Sequence, residues 1–207
     1  MIRRDASAPT FEIGSKERYV LGDPADFAVA YSFLDTEHVT ELALYVNGVN
    51  LLGFTHGCAH LTTRWNLDDL VLWLHAFVAD MREDPCPVEV PGRYAAQKDS
   101  VARENAPKIS EGCTDEELQI LDDYIDRLEP WEGRHAWISR RGGSILSNLF
   151  FEYREGRVEI SWDNRCYEPE VEFDCLLGGD SVNAETFTAV MSAFVDAYAE
   201  HWGVSLA

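Results

Sequence analysis

The sequence predicts an α+β protein in which two units, about residues 38–84 and 145–203, each run β-hairpin, strand, long helix, with an acidic helical insertion at about 85–132. Three observations lead there. Asn47-Gly48 and Glu155-Gly156 each separate two short runs rich in apolar residues, and such pairs tolerate the positive φ that a two-residue hairpin turn demands. Two long stretches keep a helical apolar period, Leu67 to Met81 and Phe187 to Trp202. Between them Thr114-Asp115-Glu116-Glu117 reads as a capping box.

In chain order, the first hairpin occupies about 41–53, and Phe54 to Thr63 is expected to be a third strand. Asn66 is placed to cap the next helix, whose first turn holds Asp68 and Asp69 and which Pro85 and Pro87 close near Glu83. Pro85, Pro87 and Pro91 favour extended chain, and Arg93 to Asn105 reads as a short polar helix. From Thr114 a second insertion helix carries Leu118, Leu121, Tyr124, Ile125 and Leu128 as an apolar stripe, and Glu129-Pro130 is expected to end it. The second hairpin joins Leu149–Tyr153 to Val158–Trp162, a strand follows at Glu170–Leu176, and Asn183 caps the last helix. The halves share an element order but barely align in sequence, and β-β-β-α is a common arrangement, so one α+β domain over 1–207 with a helical insertion is expected rather than a duplication.

Thirty-seven acids against seventeen bases give a formal charge of −20, and only Lys16, Lys98 and Lys108 are lysines. A surface so negative repels phosphate backbones and anionic lipid, which excludes direct nucleic-acid and membrane binding and favours a basic protein partner. A salt-adapted cytosol or a GC-rich genome yields similar compositions. The charge is uneven, however: Glu111 to Glu132 holds nine acids and the single base Arg127. Five widely spaced cysteines with no C-x-x-C pair predict reduced thiols, and no apolar run reaches the roughly 18 residues of a membrane helix; both point to the cytoplasm.

His56-Gly57-Cys58-Ala59-His60 is the most site-like cluster. On a strand His56, Cys58 and His60 would share a face, but the outer two would lie about 13 Å apart. Cys58 and His60 are therefore the pair that could share a zinc ion. Arg140-Arg141-Gly142-Gly143 concentrates positive charge beside glycines and is a candidate anion site, without the spacing of a P-loop or dinucleotide loop. The acids Asp115, Glu116, Asp122, Asp123 and Asp126 stand opposite the apolar stripe of their helix and form the candidate partner-binding face. H-E-x-x-H and G-x-S-x-G are absent from the sequence.

Trp131, Arg134-His135, Gly142-Gly143, Asn148-Leu149-Phe150-Phe151 and Val158-Glu159-Ile160-Ser161-Trp162-Asp163 make a pattern over about residues 131–202. It resembles accessory regions of actinobacterial proteins that also carry an ImmA/IrrE-type metallopeptidase domain. The resemblance implies a recognition or regulatory module linked to phage and stress responses. With the peptidase motif missing, it transfers no catalytic residue. The expectation is therefore a non-enzymatic, acidic, immunity- or phage-defence-type protein that binds a basic protein and needs no cofactor. Two other readings stand beside it: a DNA mimic that inhibits DNA-binding proteins, and a small metal- or thiol-dependent enzyme using His56, Cys58 and His60.

Overall fold

Both predicted hairpin turns form, with Asn47 and Gly48 at φ 48° and 84°, and Glu155 and Gly156 at 47° and 75°. Those values are the left-handed pair that matches the twist of the flanking strands. The computed structural model describes residues 3–4, 17–34, 38–108, 113–137, 145–165 and 171–206. Its strands are β1 (Arg3–Arg4), β2 (Tyr19–Asp23), β3 (Phe27–Phe33), β4 (Val39–Val46), β5 (Val49–Asn50), β6 (Gly53–His56), β7 (Ala59–Asn66), β8 (Ala136–Trp137), β9 (Leu149–Arg154), β10 (Arg157–Asp163), β11 (Val171–Phe173) and β12 (Leu177–Asn183). The helices are α1 (Asp68–Ala79), α2 (Ala95–Asn105), α3 (Asp115–His135) and α4 (Ala184–Trp202). The protein is α+β, with antiparallel pairing throughout.

One sheet runs β1-β2-β3-β4-β7-β6-β11, with β5 on β4, and the other runs β12-β10-β9-β8. Alternation along each strand then decides what is buried. Phe27, Val29 and Tyr31 of β3, and Leu42, Leu44 and Val46 of β4, enter the main core, as do Leu149 and Phe151 of β9 and Val158 and Ile160 of β10. Helices α1 and α4 fill the same core with Val71, Leu74, Phe77, Phe187, Met191 and Phe194. Phe187 joins the two sheets, its ring 5.3 Å from Phe27 and 5.6 Å from Phe151. The opposite face of the second sheet turns Phe150 toward Ala95, Ala96 and Ala102 of α2 and Leu128 and Trp131 of α3. The second sheet is thus covered on both faces.

Several sequence expectations need correction. Residues 54–63 are not one strand but the tight β6–β7 hairpin, turning at Gly57 and Cys58 with Gly57 at φ 64°. The strand expected at 170–176 is the short β11, which pairs with β6 of the first sheet; the third strand of the second sheet is β12. Its glycines are a packing requirement, since a Cβ on Gly178 would meet Trp162 at 2.8 Å and one on Gly179 would meet Tyr94 at 2.6 Å. The hairpin β2–β3 was not anticipated. The N-cap of α1 is Leu67 rather than the expected Asn66, although Asn66 Oδ1 still accepts from the Asp68 N–H at 2.9 Å, and α1 ends at Ala79. Asn183 caps α4 as expected, accepting from the N–H groups of Glu185 and Thr186. Among the described residues no helix is long and apolar enough to cross a membrane.

The largest correction is α3, which does not stop at Pro130 but continues to His135. Proline there removes the N–H that would reach the Asp126 carbonyl, and its ring crowds that carbonyl. The following turn is held from outside instead. Trp131 is buried, and its indole N–H donates to the Asp84 carbonyl at 3.1 Å. Tertiary contacts outweigh one missing helical bond. Replacing Pro130, whose own side chain is exposed, by alanine restores that bond. Pro130→Ala is predicted to raise the unfolding free energy by about 1–2 kcal/mol after the loss of proline's unfolded-state restriction, measured by urea denaturation.

Candidate functional site

Helix α3 has two halves with different surroundings. Thr114 caps it reciprocally, its Oγ1 accepting from the Glu117 N–H at 3.2 Å while the Glu117 carboxylate accepts from the Thr114 N–H at 2.8 Å. Asp115, Glu116 and Glu117 occupy the first turn, where carboxylates suit the helix dipole. The buried residues begin only at Leu128 and continue with Trp131, Glu132 and His135. Leu118, expected to be core, is 40% exposed, and Ile120 is 54% exposed. The N-terminal half therefore supplies none of the helix's buried residues.

Asp115, Glu116, Asp122, Asp123 and Asp126 are all exposed on this half. At about 100° per residue, Asp115, Asp122, Asp123 and Asp126 fall opposite Leu128 and Trp131, and Leu118 and Ile120 border the acidic strip on either side. Arg127, the one base on the helix before its last turn, donates from Nε to the Asp123 carbonyl at 3.1 Å and lies over the Tyr124 ring. Tyr124 fastens the middle of the helix, donating its hydroxyl to the Ala102 carbonyl of α2 at 2.8 Å.

The other sequence candidates are placed differently. Cys58 is exposed at the β6–β7 turn with a free thiol. His60 faces the Asp174 carboxylate at 2.9 Å. A hairpin turn replaces the single strand face on which His56, Cys58 and His60 were expected to align. Among the described residues no three His, Cys, Asp or Glu side chains converge in a metal-binding geometry. Arg140, Arg141, Gly142 and Gly143 lie outside the described residues.

Two polar clusters escaped sequence reasoning. His38, at φ 56°, places Nδ1 2.9 Å from Asp68 Oδ1, stacks on Trp202 at 5.1 Å, and shares Asp68 with the Tyr198 hydroxyl, which donates to it at 2.8 Å. Burial works to raise the Asp68 carboxyl, but the hydrogen bonds of His38 and Tyr198 outweigh it and hold the group below its ordinary value. Burial and the adjacent Asp68 push the Tyr198 hydroxyl far upward, so it acts as a hydrogen-bond donor. Nothing local in the sequence joins residues 38, 68 and 198.

The second cluster centres on Asp84, beside a cleft of about 220 Å³ lined by Trp73, Phe77, Arg82, Arg134 and His135. Arg134 Nε donates to Asp84 Oδ2 at 2.6 Å, and His135 sets Nε2 3.2 Å from the same oxygen and Nδ1 2.7 Å from the Phe151 carbonyl. These are residues of the pattern noted in the sequence, and here they bind the end of α3 to β9 and to the segment after α1.

No family model matches the chain, and no curated protein sequence does either. Among solved structures the chain is similar to CdiI from Burkholderia dolosa AUO158, with 12% sequence identity and a TM-score of 0.47 over 86% of this chain and 99% of that one.

Burial would raise the Asp84 carboxyl, yet the hydrogen bonds from Arg134 and His135 hold it below the usual carboxylate range. A folded-state value below the unfolded one stabilises above the unfolded pKa of about 3.9 and loses that effect as pH falls through the folded value. Asp84→Asn is predicted to cost about 1–2 kcal/mol at pH 7, and the difference from the parent should shrink steadily below about pH 4. Urea unfolding at a series of pH values measures both.

Proposed function

We propose that this chain is a non-enzymatic binding protein of the immunity type, which engages a basic protein partner through the N-terminal half of α3. One observation carries the reading: the acid-dense first half of α3 holds none of that helix's buried residues, and two large apolar side chains border its charge. Long-range attraction from a −20 chain steers a basic partner and raises the association rate. Leu118 and Ile120 supply what charge alone lacks, apolar area that excludes water once contact is made. That pairing favours a protein partner over the DNA-mimic reading, because imitating a phosphate backbone has no use for an apolar border.

The experiment is capture at physiological salt on immobilised protein, followed by binding kinetics with the basic protein retained. Neutralising Asp122, Asp123 and Asp126 together to asparagine should lower the association rate by about tenfold and flatten its salt dependence. Ile120→Ala should act mainly on the dissociation rate. Unchanged kinetics in both variants would assign the partner to another surface. Inhibition of several unrelated DNA-binding enzymes would favour the mimic, and a robust turnover activity would exclude a purely binding role.

A further inference from the structure

The cleft beside Asp84 lies at the opposite end of α3 from the acidic strip, and its walls carry groups that the fold leaves unspent. Its apolar wall comes from α1. The Trp73 and Phe77 rings lie 5.4 Å apart with their planes 18° from parallel, and Ala76 lines the cleft beside them. The Trp73 indole N–H is already donated to the Gly133 carbonyl at 2.8 Å, so this wall offers ring surface and no free polar group.

Gly133 supplies a second, independent observation. It sits inside α3, where glycine is a poor helix former, and neither a left-handed φ nor a close neighbour calls for it. A Cβ added there meets no atom within 4 Å. The space that a side chain would fill is left to the cleft, which Gly133 lines.

The polar margin is made by Asp84 and Arg134. Arg134 Nε and His135 Nε2 both approach one oxygen, Asp84 Oδ2, at 2.6 and 3.2 Å. Among the described residues, Asp84 Oδ1 and the two Arg134 Nη groups have no hydrogen-bond partner. An acceptor and a donor therefore stand side by side. His135 has nothing to spare, since its Nδ1 faces the Phe151 carbonyl at 2.7 Å. At the outer lip Arg82 Nη1 lies 3.1 Å from Asp80 Oδ2, so each aspartate of the cleft is met by an arginine.

We propose that this cleft binds a small, neutral, planar heterocycle through a cyclic amide edge, a ring carbonyl next to a ring N–H. The carbonyl accepts from an Arg134 Nη group, the ring N–H donates to Asp84 Oδ1, and the ring covers Trp73, Ala76 and Phe77. Both hydrogen bonds have a charged partner, which makes them stronger than neutral ones, and the ring excludes the water that competes for them. Charge and polarity narrow the class from both sides. An anion would face Asp80, Asp84 and a chain of charge −20, while a cation would face Arg82 and Arg134. A purely apolar ring would cover the Asp84–Arg134 margin and strip its unspent groups of water without replacing it. The volume of about 220 Å³ lies below the roughly 300 Å³ at which sites for drug-sized ligands begin, so one ring or two fused rings fill it. The site is separate from the partner-binding face, and neither reading depends on the other.

The test is a titration of the protein with 2-quinolone, followed by nitrogen-15 spectra that resolve the Trp73 indole N–H and the Arg134 Nε–H. Both signals should shift saturably, with half-saturation at or below about 1 mM. Coumarin has the same shape and carbonyl but carries an oxygen where 2-quinolone has its N–H, and it should bind at least about tenfold more weakly. Gly133→Leu places a side chain in the cleft and should weaken 2-quinolone binding at least about tenfold. No saturable shift at Trp73 and Arg134, equal binding of the two rings, or parent-like binding by the variant overturns the site. Should the variant not fold, the comparison of 2-quinolone with coumarin on the parent decides alone.

Discussion

The presentation of α3 depends on Asp84. Its backbone carbonyl accepts from the Trp131 indole, and its carboxylate accepts from Arg134 and faces His135. All three partners lie after Pro130, in the turn of helix that local sequence rules would terminate. Without that anchor the last turn has no reason to remain helical. With it, Trp131 stacks on Phe150 at 5.6 Å and His135 reaches the Phe151 carbonyl, so the C-terminal half of α3 becomes part of the second sheet's cover. The N-terminal half follows as a continuation of a fixed axis rather than as an element with its own core.

This arrangement divides the acids into three physical populations that a net charge of −20 conceals. Asp68, Asp84 and Asp163 are held ionised by specific donors and act as structural acceptors. The strip on α3 is solvated, so its members contribute field more than local stability. Asp99 and Glu132 are buried, and the Arg103 guanidinium reaches both, which ties α2 to α3. The same residue type therefore fixes the fold, shapes the surface potential and joins two helices, according to what surrounds each carboxyl.

Much of the fold was legible because its signals are local. The two hairpin turns, the capping box at Thr114 and the cap at Asn183 need only a few adjacent residues, and each forms. The β6–β7 turn was hidden because Gly57-Cys58 lacks the asparagine or aspartate that usually marks such a turn. Strand β12 was hidden because glycine normally argues against a strand, whereas Gly178 and Gly179 make room for Trp162 and Tyr94 from distant positions. The acids of the candidate face could be named from sequence, but their apolar border could not. Helical periodicity placed Leu118 in the core, and no core reaches that turn. Asp99 did leave a trace: it shares the helical stripe of Ala95, Ala96 and Ala102, where an acid on an otherwise small apolar face is out of place.

The exposed half of α3 depends mechanically on the contacts between its other half and α2. An isolated helix shorter than about 15 residues is marginal in water, because nucleation is costly and few bonds repay it. The segment from Asp115 to Asp126 is of that length, carries repelling carboxylates along one side and packs little. Its order is therefore borrowed from two ends, the capping box at Thr114 and the anchored turns from Tyr124 onward. Tyr124 meets α2 at Ala102, one residue before Arg103 and three after Asp99. Any change that parts α2 from α3 removes the inner support first, and the spacing of the acidic strip loosens with it. A rigid strip presents its carboxylates and its apolar border in fixed register, whereas a frayed one must be ordered at the moment of contact, at a cost in affinity.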